Sequence, residues 1–182
     1  MSRKGNKILT IPSGVTVKVE NNKVMVNGPK GQLEIPFPSV ISVAINGNEI
    51  KVSRANDEKQ SKMFHGTINA LIHNALIGTS EGYTKALHIE GVGYKASVNG
   101  DKFTLAIGFS HPVVFDIPKW LHVVCKTPTD VEISGHDKIV VGEFAANVRA
   151  VRKPEPYNGK GIMYVGEHII RKVGKTAEGS KK

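Results

Sequence analysis

From Val15 to Ser53 apolar and polar residues alternate in short bursts, and Asn, Gly and Pro separate the bursts. A two-residue period marks half-buried strands. It predicts strands over 15–20, 23–27, 32–35, 41–45 and 49–53. Asn21-Asn22 and Asn46-Gly47-Asn48 fall between them and supply tight turns, because both residue types tolerate positive φ. Beyond Asn56 and Asp57, either of which could cap a helix, the period changes. Phe64, Ile68, Leu71, Ile72, Ala75 and Leu76 recur at helical spacing and form one apolar stripe for a sheet. The pattern predicts a helix to about Ile77, closed by Gly78.

The second half repeats the plan. Alternation predicts strands over 85–90, 94–98, 102–107, 113–117, 121–126 and 130–134, with Asn99-Gly100 as a hairpin turn. Asp137 opens a helix whose Val141, Phe144, Ala145, Val148 and Val151 point one way, and Pro154 stops it. Sliding the chain over itself by about 80 residues makes the repetition explicit. Asn22-Lys23-Val24-Met25-Val26 answers Asp101-Lys102-Phe103-Thr104-Leu105, and Glu49-Ile50-Lys51-Val52-Ser53 answers Asp130-Val131-Glu132-Ile133-Ser134. Leu33-Glu34-Ile35-Pro36 answers Phe115-Asp116-Ile117-Pro118, and Asp57 precedes Phe64 and Ile68 as Asp137 precedes Phe144 and Val148. The expectation is an α+β protein of two tandem duplicated domains, each a small, mainly antiparallel sheet packed on one helix. We set the domains at 1–81 and 82–175, joined around Gly78-Thr79-Ser80-Glu81-Gly82, with 176–182 as a basic tail.

Charge changes the picture because of where it lies. The 182 residues carry a net charge of +9. Residues 1–7 hold Arg3, Lys4 and Lys7 with no acid, and residues 149–182 hold nine basic side chains against Glu155, Glu167 and Glu178. Residues 8–148 are balanced, with 13 of each sign. A surplus confined to the two ends points to a polyanionic partner there, whereas a diffuse one would speak only of solubility. The apolar Ile162, Met163, Tyr164, Val165, Ile169 and Ile170 inside the C-terminal basic segment argue against a merely solvated tail. No apolar run is long enough for a membrane helix, the basic N-terminus lacks a signal peptide's apolar stretch, and the lone Cys125 suits a reducing cytosol.

Sequences that resemble enzyme motifs fail on context. Gly91-Val92-Gly93-Tyr94-Lys95-Ala96 matches a loose dinucleotide pattern, but a strand and hairpin follow where a helix N-terminus is needed. Gly91 and Gly93 read better as a bulge or a close backbone approach. Gly174-Lys175-Thr176 copies the end of a phosphate loop, but Ile169 stands where the leading glycine belongs. The seven histidines show no metal-ligand spacing, and His65 and His73 read as surface or boundary residues. Ser134, His136 and Asp137 bring triad residue types together, but they read better as a cap for the second helix than as converging catalytic groups. The expectation is no catalytic site, no cofactor and no metal.

The stretch from Arg149 carries more. In Lys153-Pro154-Glu155-Pro156-Tyr157-Asn158-Gly159-Lys160-Gly161-Ile162 two prolines forbid helix and hold the backbone extended. The Asn-Gly-Lys-Gly that follows supplies a sharp turn able to approach a partner closely. Tyr157 offers a stacking face, and Arg152, Lys153 and Lys160 offer charge for phosphates. With Arg149, and on through Tyr164, Glu167, Ile169 and Lys172 to Gly174-Lys175, this segment resembles the signature of ribosomal protein six of the large subunit, the bacterial L-six family. Gly91-Val92-Gly93-Tyr94-Lys95-Ala96 and Asn27-Gly28-Pro29-Lys30-Gly31 resemble that family's second-domain opening and first-domain hairpin.

The resemblance implies a structural ribosomal protein that binds 23S-type rRNA directly, near the factor-binding region by the sarcin–ricin loop and stalk base. Neighbouring large-subunit proteins, and translational GTPases visiting the factor site, are the other implied partners. Arg149, Arg152, Lys153, Tyr157, Asn158, Gly159, Lys160, Gly161, Arg171, Lys172 and Lys175 are then the expected rRNA-binding residues. The first domain is expected to make fewer RNA contacts. An accessory factor that exchanges on and off ribosomes is the alternative, and an enzyme is the weakest.

Overall fold

Local turn chemistry sets the hairpins. In a computed structural model describing residues 3–175, Asn21 and Asn22 both take positive φ, 48° and 57°. They join β2 (Thr16–Glu20) to β3 (Lys23–Gly28) with Glu20 opposite Lys23. Pro29-Lys30 links β3 to β4 (Gly31–Pro36), and Gly47-Asn48 links β5 (Ile41–Asn46) to β6 (Glu49–Arg54). The registers put apolar partners together: Val24 faces Val19 and Ile35, and Val26 faces Val17 and Leu33. A one-residue slip would turn Val24 and Val26, both fully buried, to solvent.

The described residues divide into two compact units, those up to Tyr83 with Gly135–Lys138, and Thr84–Ser134 with those from Ile139 onward; the expected tail 176–182 lies outside the described residues. In the first, antiparallel sheets β2-β3-β4 and β1-β6-β5 share a core with α1 (Lys59–Ser80), β1 being Leu9–Thr10. Ile68, Ile72, Ala75 and Leu76 bury the helix stripe against Val24, Val26, Ile50 and Val52, while Phe64 and Leu71 are half-buried at its edge.

Three expectations are corrected here. Neither Asn56 nor Asp57 caps α1; Glu58 occupies the N-cap without a side-chain bond, and Asp57 pairs with Arg54 at 2.8 Å. Gly78 does not end the helix but lies buried within it, where a Cβ would collide with His136 O. The turn out of the helix comes at Gly82, with φ of 85°, after the N–H groups of Glu81 and Gly82 have both bonded Ile77 O at 2.9 and 3.2 Å. His65 is not a surface residue: it is 3% exposed, accepting from Arg54 at Nδ1 (2.9 Å) and donating from Nε2 to Val52 O (3.0 Å).

The second unit repeats the plan. It has the sheet β8-β9-β10, from β8 (Lys95–Asn99), β9 (Lys102–Ala106) and β10 (Val113–Asp116). Its other sheet, β11-β12-β7-β13, comes from β7 (Tyr83–Glu90), β11 (Leu121–Cys125), β12 (Asp130–Gly135) and β13 (Gly161–Tyr164). Each repeat thus builds two sheets rather than one. α2 (Lys138–Val151) sends Val141, Phe144, Ala145 and Val148 into the core, where the rings of Phe103, Phe115 and Phe144 lie 6.0–6.4 Å apart. The repeated stretches of sequence fall on matching elements: β3 with β9, β4 with β10, β6 with β12, and α1 with α2. β13 has no counterpart among the described residues of the first repeat, and the sequence pattern assigns no strand there. No described helix is long and apolar enough to cross a membrane.

Candidate nucleic-acid interface

Helix α2 stops because Pro154 lacks an N–H and bars helix at the residue before it. The chain then turns back, with the Glu155 N–H donating to Lys160 O at 3.0 Å and the Ile162 N–H to Arg152 O at 2.8 Å. β13 follows at once on β7, with Gly161 opposite Glu90 and Tyr164 opposite Leu87. Loop 153–160 therefore spans a closed neck between a helix end and a sheet strand. The strap 167–175 lies along it, since the Lys172 N–H donates to Pro156 O at 2.7 Å.

The expected binding residues fall into two groups. Lys153, Asn158, Lys160, Lys172 and Lys175 are exposed, as is Tyr157 at 55%. The arginines are engaged within the protein. Arg149 donates to both carboxylate oxygens of Glu167, through Nε at 3.0 Å and through Nη2, and its guanidinium lies 5.7 Å from the Tyr164 ring centre. Glu167 also accepts the Tyr164 N–H at 3.0 Å. These bonds, Arg149 first, hold the Glu167 carboxyl below its ordinary pKa and raise that of Arg149. Arg152 donates to Ile107 O at 2.8 Å and lies over the rings of Tyr94 (5.2 Å) and Phe109 (5.5 Å). Arg171 is intermediate: 58% exposed, 3.9 Å from Glu90 and packed on Gly159.

The glycines have internal reasons too. Gly161, at φ of 145°, would place a Cβ 2.7 Å from Lys153 O and from Pro154 Cα, and Gly159 would place one 2.8 Å from Arg171 Nη2. Both are buried in the protein's own loop. Gly91 is closely approached, but by the ring of Tyr94 rather than from outside. Gly93, at φ of 76°, has no neighbour within 4 Å and is needed for its backbone angle. The sequence reading missed Tyr94 and Phe109 as the seat of Arg152. The aromatic among glycines in Gly91-Val92-Gly93-Tyr94 was the available signal.

No group of three or more His, Cys, Asp or Glu among the described residues could hold a metal ion. The arrangement is chemically simple: a braced loop and strap with four exposed ammonium groups that make no ion pair to a described residue, one open phenol ring and an exposed carboxamide.

The sequence model described as Ribosomal protein L6 matches residues 11–82 and 90–165. The chain belongs to the ribosomal protein L6 family. The two matched stretches correspond to the two repeats, and the second ends one residue after β13, so the strap 167–175 lies wholly beyond it. The large ribosomal subunit protein uL6 of Malacoplasma penetrans is 57% identical, with all of both chains covered. Those of Spiroplasma citri and Listeria welshimeri are 52% and 50% identical, over 97% and 98% of this chain and 99% and 100% of theirs. Membership in the family accounts for the duplication and gives the charged loop its setting.

Proposed function

We propose that this protein is a structural constituent of the large ribosomal subunit and not an enzyme, and that it binds 23S-type rRNA through loop 153–160 and the strap beside it. Lys153, Lys160, Lys172 and Lys175 meet phosphates, Tyr157 packs on sugar or base, and Asn158 bonds the backbone. Arg149 and Arg152 act as positioning residues. Arg171 does both, holding Gly159 and lending its outer edge. Binding is by shape and charge more than by base identity, as folded RNA is usually read. On the subunit the protein lies near the factor-binding region, by the sarcin–ricin loop and stalk base, beside neighbouring proteins and within reach of translational GTPases. Its place is the cytoplasmic ribosome.

One observation carries this reading. The loop is braced from within by arginines whose charges are engaged, while its lysines are exposed and have no ion pair to a described residue. Ordering entropy is therefore settled before RNA arrives. The test is the salt dependence of binding to 23S-type rRNA. Each lost phosphate contact lowers the log–log slope by roughly 0.7 to 0.9, so Lys153→Met/Lys160→Met is expected to lower it by roughly 1.4 to 1.8. An unchanged slope and affinity would sink the assignment. Retention on large subunits through a high-salt wash separates a constituent from an exchanging accessory factor.

A further inference from the structure

The other block of unbalanced charge is fixed in place. Asn69, 1% exposed on α1, donates to Lys4 O at 2.6 Å and to Lys7 O at 2.9 Å. Both partners are carbonyls, so the carboxamide can point only one way. Gly5 is buried on the His65 ring, where a Cβ would lie 2.7 Å from Nδ1. Residues 4–7 are thus packed on the helix and do not trail from it as an arm.

This packing brings cations together. Lys4, Lys7, His73 and Lys138 line an open cleft of about 250 Å³ with Asn69 and Asn74. All of them belong to the first unit, Lys138 through the Gly135–Lys138 stretch. Lys138 is held as well, its Nζ donating to Asn74 Oδ1 at 3.3 Å and lying 5.5 Å from the Tyr83 ring centre. None of the lining residues is acidic. Burial, then Lys7, Lys4 and Lys138, holds the His73 pKa below its ordinary 6.5. Like charges gathered with no acid among the residues lining the cleft raise the energy of the free protein, and an anion among them turns repulsion into attraction.

The geometry points to a binding site for one phosphate group in this cleft, held by Lys4, Lys7 and Lys138 with the His73 imidazole as a further donor. The phosphate is either a free ion or a phosphodiester of RNA. If it is RNA, the first repeat carries an anchor of its own, separate from the loop of the second. This inference rests on the proposed function for the RNA source alone; the anion chemistry stands without it.

The test uses the full chain. The His73 imidazole is followed by NMR while inorganic phosphate replaces chloride at constant ionic strength. A saturable shift is expected, with the His73 pKa rising by about one unit as the imidazolium gains an opposite charge. Lys4→Met/Lys7→Met, which keeps both aliphatic stems, should abolish saturation while the rest of the spectrum stays folded. No saturation in the parent protein, or full saturation in the double variant, overturns the site. In the second arm the double variant is titrated with 23S-type rRNA. A slope lower by roughly 1.4 to 1.8 than the parent's assigns the site to RNA, and an unchanged slope, with the parent saturating in phosphate and the double variant not, assigns it to the free ion. Lys153→Met/Lys160→Met leaves this cleft untouched, so failure of the loop reading and failure of this one are separable.

Discussion

Replacing Arg149 with Met separates bracing from binding. Methionine keeps an unbranched stem of similar reach but cannot donate. The change removes two charge-assisted bonds to Glu167 and the cation over Tyr164, and leaves the carboxylate with the Tyr164 N–H. The two side chains are 25% and 23% exposed, between the surface and buried regimes. Exposed pairs contribute about 0.2–1 kcal/mol, and breaking a buried pair costs about 3–5 kcal/mol, so a loss of about 2 kcal/mol is expected. That is roughly a 30-fold change in the unfolding equilibrium. Trp120, the sole tryptophan and half-exposed in the second unit, reports urea unfolding. With an m-value of about 2 kcal/mol/M, the midpoint should fall by about 1 M. Affinity for rRNA should fall as the strap loosens, but the salt slope should hold, because no phosphate contact is lost. A slope lower by roughly 0.7 to 0.9 with an unmoved urea midpoint would refute the reasoning and make Arg149 an RNA ligand.

Gly161→Ala sets a Cβ against backbone atoms of Lys153 and Pro154 that cannot swing aside, so a loss of about 3 kcal/mol in urea unfolding is expected. Arg152→Lys keeps the charge but loses the planar fork seated on Tyr94, Phe109 and Ile107 O; destabilisation by about 1–2 kcal/mol should appear in the same assay, with the salt slope kept. Glu167, held below its ordinary 4.5, contributes stability that is complete above about pH 4.5 and lost as pH falls through the lower folded value. Glu167→Gln should flatten that acid limb. For His73 the folded state resists protonation, so stability declines as pH falls through 6.5 toward the lower folded pKa, and His73→Gln should remove that decline.

What the sequence yielded and what it withheld divide along physical lines. The hairpins were legible because a two-residue turn is decided by the residues in it: Asn21-Asn22 fall in place, and the expected Asn99-Gly100 stands one residue before the observed Gly100-Asp101. The duplicated core was legible because period and spacing survive in both copies. β13 was not, since its four residues begin at Gly161, inside a turn rich in glycine, and its partner β7 lies far back in the chain. His65 was misread because a polar side chain enters a core when Arg54 and Val52 O complete its bonds, and periodicity does not register partners. The basic segment was legible as charge but not as a division of labour. Arg149 and Arg152 look like Lys153 and Lys160 until Glu167, Tyr94 and Phe109 are brought beside them.

The loop itself follows from the way the second repeat departs from the first. β1, two residues long, pairs with β6, while its counterpart β7 has eight residues beside β12. A long strand with an unpaired edge invites pairing with another chain. β13 closes that edge, and the chain must cross from the end of α2 to reach it. That crossing is the proline loop, drawn tight by Ile162 N–H on Arg152 O and seated by glycines that admit its close return. A segment so constrained by the need to cover a strand exposes its side chains without ordering cost, and lysines placed on it become a rigid array of charges. We therefore read the proposed rRNA-binding surface as an outgrowth of edge protection in one copy of a duplicated fold. The first copy, with its short β1, has no such crossing, and there the cations gather at a pinned N-terminal segment instead.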